Sequence, residues 1–102
     1  MDKKLKDKIE KLIKSEKVFL FMKGTPENPR CGFSARAIEI LKGNKIIFKS
    51  FDVLSDNEIR EGVKEYSDWP TIPQIYANGK FLGGSEILVA MAEKGEVGKL
   101  VG

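Results

Sequence analysis

The sequence is poor in the residues on which most metal and nucleophile chemistry relies. It contains no histidine and a single cysteine, Cys31. Without imidazole there is no Cys-His dyad, no Ser-His-Asp triad and no zinc site built on histidine. One thiol cannot close a disulfide within the chain, whereas a secreted domain of this size usually depends on several. No run approaches the roughly 18 consecutive apolar residues of a membrane span, so no membrane association is expected. The first residues, Met1-Asp2-Lys3-Lys4-Leu5-Lys6-Asp7-Lys8, lack the apolar core of a secretory signal and carry acidic residues that a transit peptide avoids. The expected compartment is therefore the cytoplasm by default, or an organelle such as the mitochondrion where a leader has been removed.

What is present suits one compact domain spanning residues 1–102, with 41% hydrophobic residues to build a core. The formal charge of +3 arises entirely before Val18, where seven lysines face four acidic residues. Those charges are mixed and no aromatic side chain interleaves with them. A solvated helix face fits better than a nucleic-acid surface, and no nucleic-acid partner is expected.

Leu5, Ile9, Leu12 and Ile13 mark one stripe of an amphipathic helix. Val18-Phe19-Leu20-Phe21-Met22 reads as a central strand buried on both faces. Pro26 and Pro29 exclude a helix from Gly24 to Arg30. Helical spacing resumes with Phe33, Ala37, Ile40 and Leu41 and ends near Gly43-Asn44. A second strand is expected over Lys45–Val53. Ser55-Asp56-Asn57-Glu58 reads as a capping box that opens a third helix, with Ile59, Val63 and Tyr66 inward. Thr71–Ala77 and Lys80–Leu82 flank Asn78-Gly79, a strong hairpin signal. Gly83-Gly84-Ser85 then opens a last helix. The order α-β-α-β-α-β-β-α implies an α/β fold in which a small mixed sheet carries helices on both faces, its first two strands parallel. Ligands in such folds collect beyond the carboxyl ends of the parallel strands, where Cys31 lies.

A lone cysteine is more often a small buried hydrophobe than a nucleophile. The surroundings of Cys31 point the other way. It follows a proline-containing loop and begins a helix, where free N–H groups favour a thiolate, and Arg30 and Lys23 lie close in sequence or space. Ser34 stands where a Cys-x-x-Cys dithiol would carry its resolving thiol. A mixed disulfide at Cys31 must therefore wait for an external thiol. Ser34 also fits a first-turn residue that satisfies backbone groups.

Cys31-Gly32-Phe33-Ser34, Phe21-Met22-Lys23-Gly24-Thr25, Trp69-Pro70-Thr71-Ile72-Pro73-Gln74 and Gly83-Gly84 together resemble a monothiol glutaredoxin of the Cys-Gly-Phe-Ser type. The resemblance covers essentially the whole chain, in the family's order and spacing. It implies a thioredoxin fold with a four-stranded mixed sheet, a glutathione site and a [2Fe-2S] cluster shared between two subunits. Cys31 would be both the catalytic and the cluster-ligating residue. Lys23, Arg60 and Lys64 would face the glycine end of glutathione and the thiolate. Arg60 and Lys64 share a helix face, which by residue type alone fits a solvated surface equally well. Ile72 would pair its backbone with the tripeptide beside a cis Pro73, with Phe33 and Thr71 in the same site. Gly84, Ser85 and Glu86 would meet the γ-glutamyl end, free N–H groups taking its carboxylate and Glu86 its ammonium. Family members often carry Cys-Asp where this chain has Ser85-Glu86, and Ser85 also reads as a plain N-cap. Trp69 otherwise reads as core.

A [2Fe-2S] cluster normally takes four thiolates. Each chain offers one, so a cluster-bound homodimer would draw the other two from glutathione, an arrangement suited to cluster transfer. Apo iron–sulfur proteins and BolA-like proteins are the partners that the resemblance implies. The alternative is a glutathione-dependent thiol–disulfide oxidoreductase that works through Cys31 alone; relatives of this type are generally poor reductases.

Overall fold

The computed structural model describes residues 1–102. Helix α1 (Lys3–Ile13) leads into β1 (Val18–Met22), all five residues of which are buried. Two short strands, β2 (Gly24–Thr25) and β3 (Asn28–Pro29), form a small separate hairpin within the proline-containing loop. Helix α2 (Gly32–Gly43), β4 (Lys49–Asp52), α3 (Asn57–Ser67), β5 (Gln74–Ala77), β6 (Lys80–Gly83) and α4 (Ser85–Glu93) follow, with a short 3-10 turn at Val97–Leu100. The main sheet has the order β4-β1-β5-β6; β1 and β4 are parallel, and the other two pairings are antiparallel.

Strand β1 organises the core because its side chains alternate across the sheet. Val18, Leu20 and Met22 face one layer with Ala37, Ile38 and Leu41 of α2 and Leu88 of α4. Phe19 and Phe21 face the other with Ile9 and Ile13 of α1 and Ile59 and Val63 of α3. Helices thus cover both faces, as the apolar patterning implies. Each of these buried side chains larger than Ala37 contributes roughly 1.5–3 kcal/mol relative to exposure.

Three local expectations change. The second strand starts at Lys49, four residues later than the spacing predicts. Lys45 adopts a left-handed φ of 57° after the helix ends, and Ile47 is 75% exposed, so the hydrophobic run Ile46-Ile47-Phe48 approaches the sheet without yet pairing in it. Helix α3 is capped by Asp56, not Ser55: Asp56 Oδ1 accepts from Ile59 N at 3.1 Å, while Ser55 donates to the Asp52 carbonyl. Asp56 is held below the usual carboxylate range, first by that Ile59 N–H and then by the hydrogen bond from Lys8. The strand expected from Thr71 begins only at Gln74, and the preceding residues form an irregular segment with a cis Ile72–Pro73 bond. The Asn78-Gly79 hairpin holds, both residues taking the positive φ that the tight turn requires.

Candidate functional site

Cys31 is the N-cap of α2, in extended conformation (φ −153°, ψ 138°), and its side chain is partly exposed. It therefore stands at the positive end of the helix that follows β1. Burial pushes its thiol pKa up, but the Ser34 and Phe33 N–H groups, the Lys23 ammonium and the Ser34 hydroxyl together bring it below its ordinary value. Arg30, the other cation expected to help, instead borders a separate shallow pocket with Asp52, Leu54 and Ser55.

Ser34 is completely buried, and its Oγ accepts a 3.1 Å hydrogen bond from Lys23 N. The hydroxyl thus ties the start of α2 to the carboxyl end of β1, where the Lys23 side chain meets Cys31. A second tie runs through Asp52 at the end of β4, whose Oδ1 accepts from Gly24 N at 2.9 Å and from Leu54 N at 2.9 Å. No acidic partner pairs with Lys23, so its charge acts on the thiol without a neutralising carboxylate. Lys23→Gln is expected to raise the Cys31 pKa. Alkylation by iodoacetamide would slow at about pH 7 and keep the parent rate at about pH 10, where any thiol is ionised. Equal rates at both pH values would show that Lys23 does not act on the thiol.

A groove of about 530 Å³ opens beside Cys31. Lys23 and Phe33 flank the thiol, Arg60 and Lys64 reach in from α3, and Thr71, Ile72 and Pro73 form one wall. Gly84, Ser85 and Glu86 close the far end at the start of α4. Every residue that the resemblance assigns to the glutathione site lies in this one groove. Pro70 lines it too; its place between Trp69 and Thr71 was the only signal for it.

Several details differ from expectation. Phe33 does not join the apolar stripe of α2; it is 68% exposed, at the groove beside the thiol. Trp69 is not core but partly exposed, with its ring 5.7 Å from that of Phe81. Ser85 does not cap α4: the N-cap is Gly84, and no side chain caps that position. Glu86 instead turns back, its Oε1 accepting from Gly84 N at 2.9 Å, so that N–H is already engaged.

The cation pair is arranged around Glu61. Its Oε2 lies 3.2 Å from Lys64 Nζ and 4.0 Å from Arg60 Nε. Arg60 Nε is buried without a hydrogen-bond partner, the one such side-chain atom in the chain. On the opposite wall, neither the N–H nor the C=O of Ile72 bonds to the rest of the backbone. The groove thus offers a thiolate-prone sulfur, three cations and an unpaired stretch of backbone. No three His, Cys, Asp or Glu side chains come together as a metal site within the chain, and no helix is long and apolar enough to cross a membrane.

The profile of the family described as Glutaredoxin matches residues 18–82. Monothiol glutaredoxin-S17 of Arabidopsis thaliana is 58% identical over 91% of this chain, which spans only 19% of that relative's length. A protein of Synechocystis described as an uncharacterized monothiol glutaredoxin ycf64-like is 48% identical over 99% of this chain and 94% of its own. Among solved structures, a monomeric truncated mutant of Trypanosoma brucei 1-C-Grx1 superposes with a TM-score of 0.83 at 44% identity, covering 94% of this chain and 87% of that one. Buckwheat glutaredoxin, solved as a glutathione complex, shares the fold at a TM-score of 0.82 and 17% identity, over 98% of this chain and 92% of that one. With one thiol at the head of α2, a serine three residues on and the thioredoxin-type sheet beneath, this chain belongs to the glutaredoxin family, in its monothiol branch.

Proposed function

We propose that the groove binds glutathione and that two such chains, each with one glutathione, hold a [2Fe-2S] cluster for delivery to apo iron–sulfur proteins. The observation that carries this reading is the convergence of Cys31, Lys23, Arg60 and Lys64 on the groove walled by the unpaired backbone of Ile72. An extended tripeptide with two carboxylates meets all of these demands at once: its backbone pairs with Ile72, its glycine carboxylate with the cations, and its sulfur lies beside Cys31. Ser85 and Glu86 would receive the γ-glutamyl end, the Glu86 carboxylate facing the ammonium while still holding Gly84. Thr71, Pro73 and Gly84 shape the wall, and Phe33 covers the mouth.

The donor set fits a borrowed cluster. Cys31 is a partly exposed thiol biased toward thiolate, and no second thiolate lies in the chain to retain iron. Cluster release to a client, or sharing with a BolA-like partner, then needs only thiolate exchange at an open surface. A reducing compartment, the cytoplasm or an organelle, suits a lone thiol of this kind.

The same lowered thiol supports a second reading, glutathione-dependent reduction of glutathionylated proteins. The Cys31 thiolate would attack the glutathione sulfur of the client's mixed disulfide, forming a Cys31–glutathione disulfide and releasing the client thiolate. A second glutathione thiolate would then attack that disulfide, releasing oxidised glutathione and restoring Cys31.

Anaerobic incubation with iron, sulfide and glutathione separates the two readings. The carrier reading expects a coloured dimer on size exclusion, absent when glutathione is omitted. A colourless monomer with rapid deglutathionylating turnover would establish the enzyme instead.

A further inference from the structure

The wall that presents Ile72 is irregular backbone, lying between the end of α3 and the start of β5. Such a segment holds one shape only where other groups fix it. Its first residue is well tied: Trp69 N donates to the Lys64 carbonyl at 3.1 Å and to Ser67 Oγ at 3.2 Å. Beyond that point the backbone of Thr71, Ile72 and Pro73 makes no hydrogen bond to other backbone.

What holds it is one buried carboxamide. Gln74 is completely inaccessible to solvent. Its Nε2 donates to the Trp69 carbonyl at 3.2 Å and to the Thr71 carbonyl at 3.4 Å. Its Oε1 accepts from Tyr76 Oη at 3.0 Å. This orientation is the one that satisfies every group, since a flipped amide would set its oxygen against two carbonyls. Burial pushes the Tyr76 pKa up, so its hydroxyl remains a donor. An uncharged side chain with two donors and one acceptor is what this position demands. Leucine or methionine would fill the volume as well, so packing alone does not account for it.

We propose that Gln74 is a positioning residue: its buried amide clamps the carbonyls on either side of Pro70 and thereby sets the Ile72 backbone edge at the spacing that an extended peptide thiol pairs with. The ligand part rests on the reading of the groove as a glutathione site, while the clamping of the segment does not.

The test compares the parent, Gln74→Leu and Gln74→Leu with Tyr76→Phe. The single variant removes the clamp and strands the Tyr76 hydroxyl; the double variant removes that stranded group as well. Backbone N–H order parameters are read first without glutathione. Those of Thr71 and Ile72 are expected to fall in both variants relative to the parent, with residues of β1 as the rigid reference. Glutathione affinity by calorimetry is expected to fall about tenfold in both, as for loss of an ordered recognition edge. The thermal midpoint falls in the single variant and recovers in the double one, while the affinity stays low. The Cys31 titration keeps its parent profile, because Gln74 is not among the groups that act on the thiol. Affinity that recovers together with the midpoint would reduce Gln74 to a core residue and overturn the proposal. So would unchanged order parameters at Thr71 and Ile72 in a folded variant. A parent that binds no glutathione would refute the groove reading instead, and lower order parameters in the variants would then still support the clamp.

Discussion

Cys31→Ser is expected to abolish every glutathione adduct and every cluster while leaving the fold at least as stable as the parent. The chain has no other thiol, so nothing else can form a mixed disulfide or ligate iron through a thiolate. A serine hydroxyl at this site stays protonated in the range where the Cys31 thiol ionises. Stability should not suffer, because a serine Oγ can accept from the same Ser34 and Phe33 N–H groups that act on the Cys31 sulfur. Serine is a preferred N-cap, and its Oγ can accept an N–H of the first turn, a gain of up to about 1 kcal/mol. That corresponds to a rise of roughly 4–8 °C in Tm for a domain of this size. Mass spectrometry after oxidised-glutathione treatment and a thermal melt check both halves. Colour retained in the serine variant after anaerobic reconstitution would mean that the cluster is held elsewhere.

Gly24→Ala is expected to be the most damaging single-methyl substitution in the chain. Gly24 has φ +90°, and a Cβ there would lie 2.5 Å from the Asn28 carbonyl oxygen and 2.7 Å from Arg30 N. Both obstacles are backbone, so no side-chain rotation relieves them. Gly79→Ala is the control: it too sits at positive φ, +79°, but nothing lies within 4 Å of the added carbon. Gly79→Ala should cost only the left-handed penalty of about 1–2 kcal/mol. Gly24→Ala should cost roughly 3 kcal/mol or more, in the range seen when overpacking adds to strain. It should also weaken glutathione binding, since displacing Arg30 shifts the residue next to Cys31 and disturbs the Arg30 N to Lys23 carbonyl bond of 2.9 Å. Equal losses at the two glycines in urea titrations would show that the loop yields without resistance.

The parts of the molecule written in short-range chemistry could be read directly. The apolar run of β1, the Asn78-Gly79 turn, the proline-bounded loop and the cysteine at a helix start each depend on neighbours in sequence. So does the pairing of Arg60 and Lys64 on one helix face, which brings both to the groove. What could not be read depends on contacts made at a distance. Ile46 and Ile47 look like strand, but only Ile46 finds the core, and pairing with β1 begins at Lys49. Phe33 has the spacing of a core residue, yet the first turn of α2 overhangs the groove and leaves the ring in solvent. Ser55 and Asp56 both suit a cap, and the 3-10 turn Val53–Ser55 ahead of α3 selects the second. The engagement of Gly84 by Glu86 has no counterpart in spacing rules, because it depends on how β6 delivers the chain to α4.

The two apolar layers on either side of the sheet meet at the groove. Cys31, Ser85 and Glu86 ride on α2 and α4, whereas Arg60 and Lys64 ride on α3 across the sheet. Partial opening of either layer would separate sulfur from cations well before the whole chain unfolds. A ligand that spans them opposes the opening of either layer, and its occupancy protects both halves of the protein from proteolysis at once.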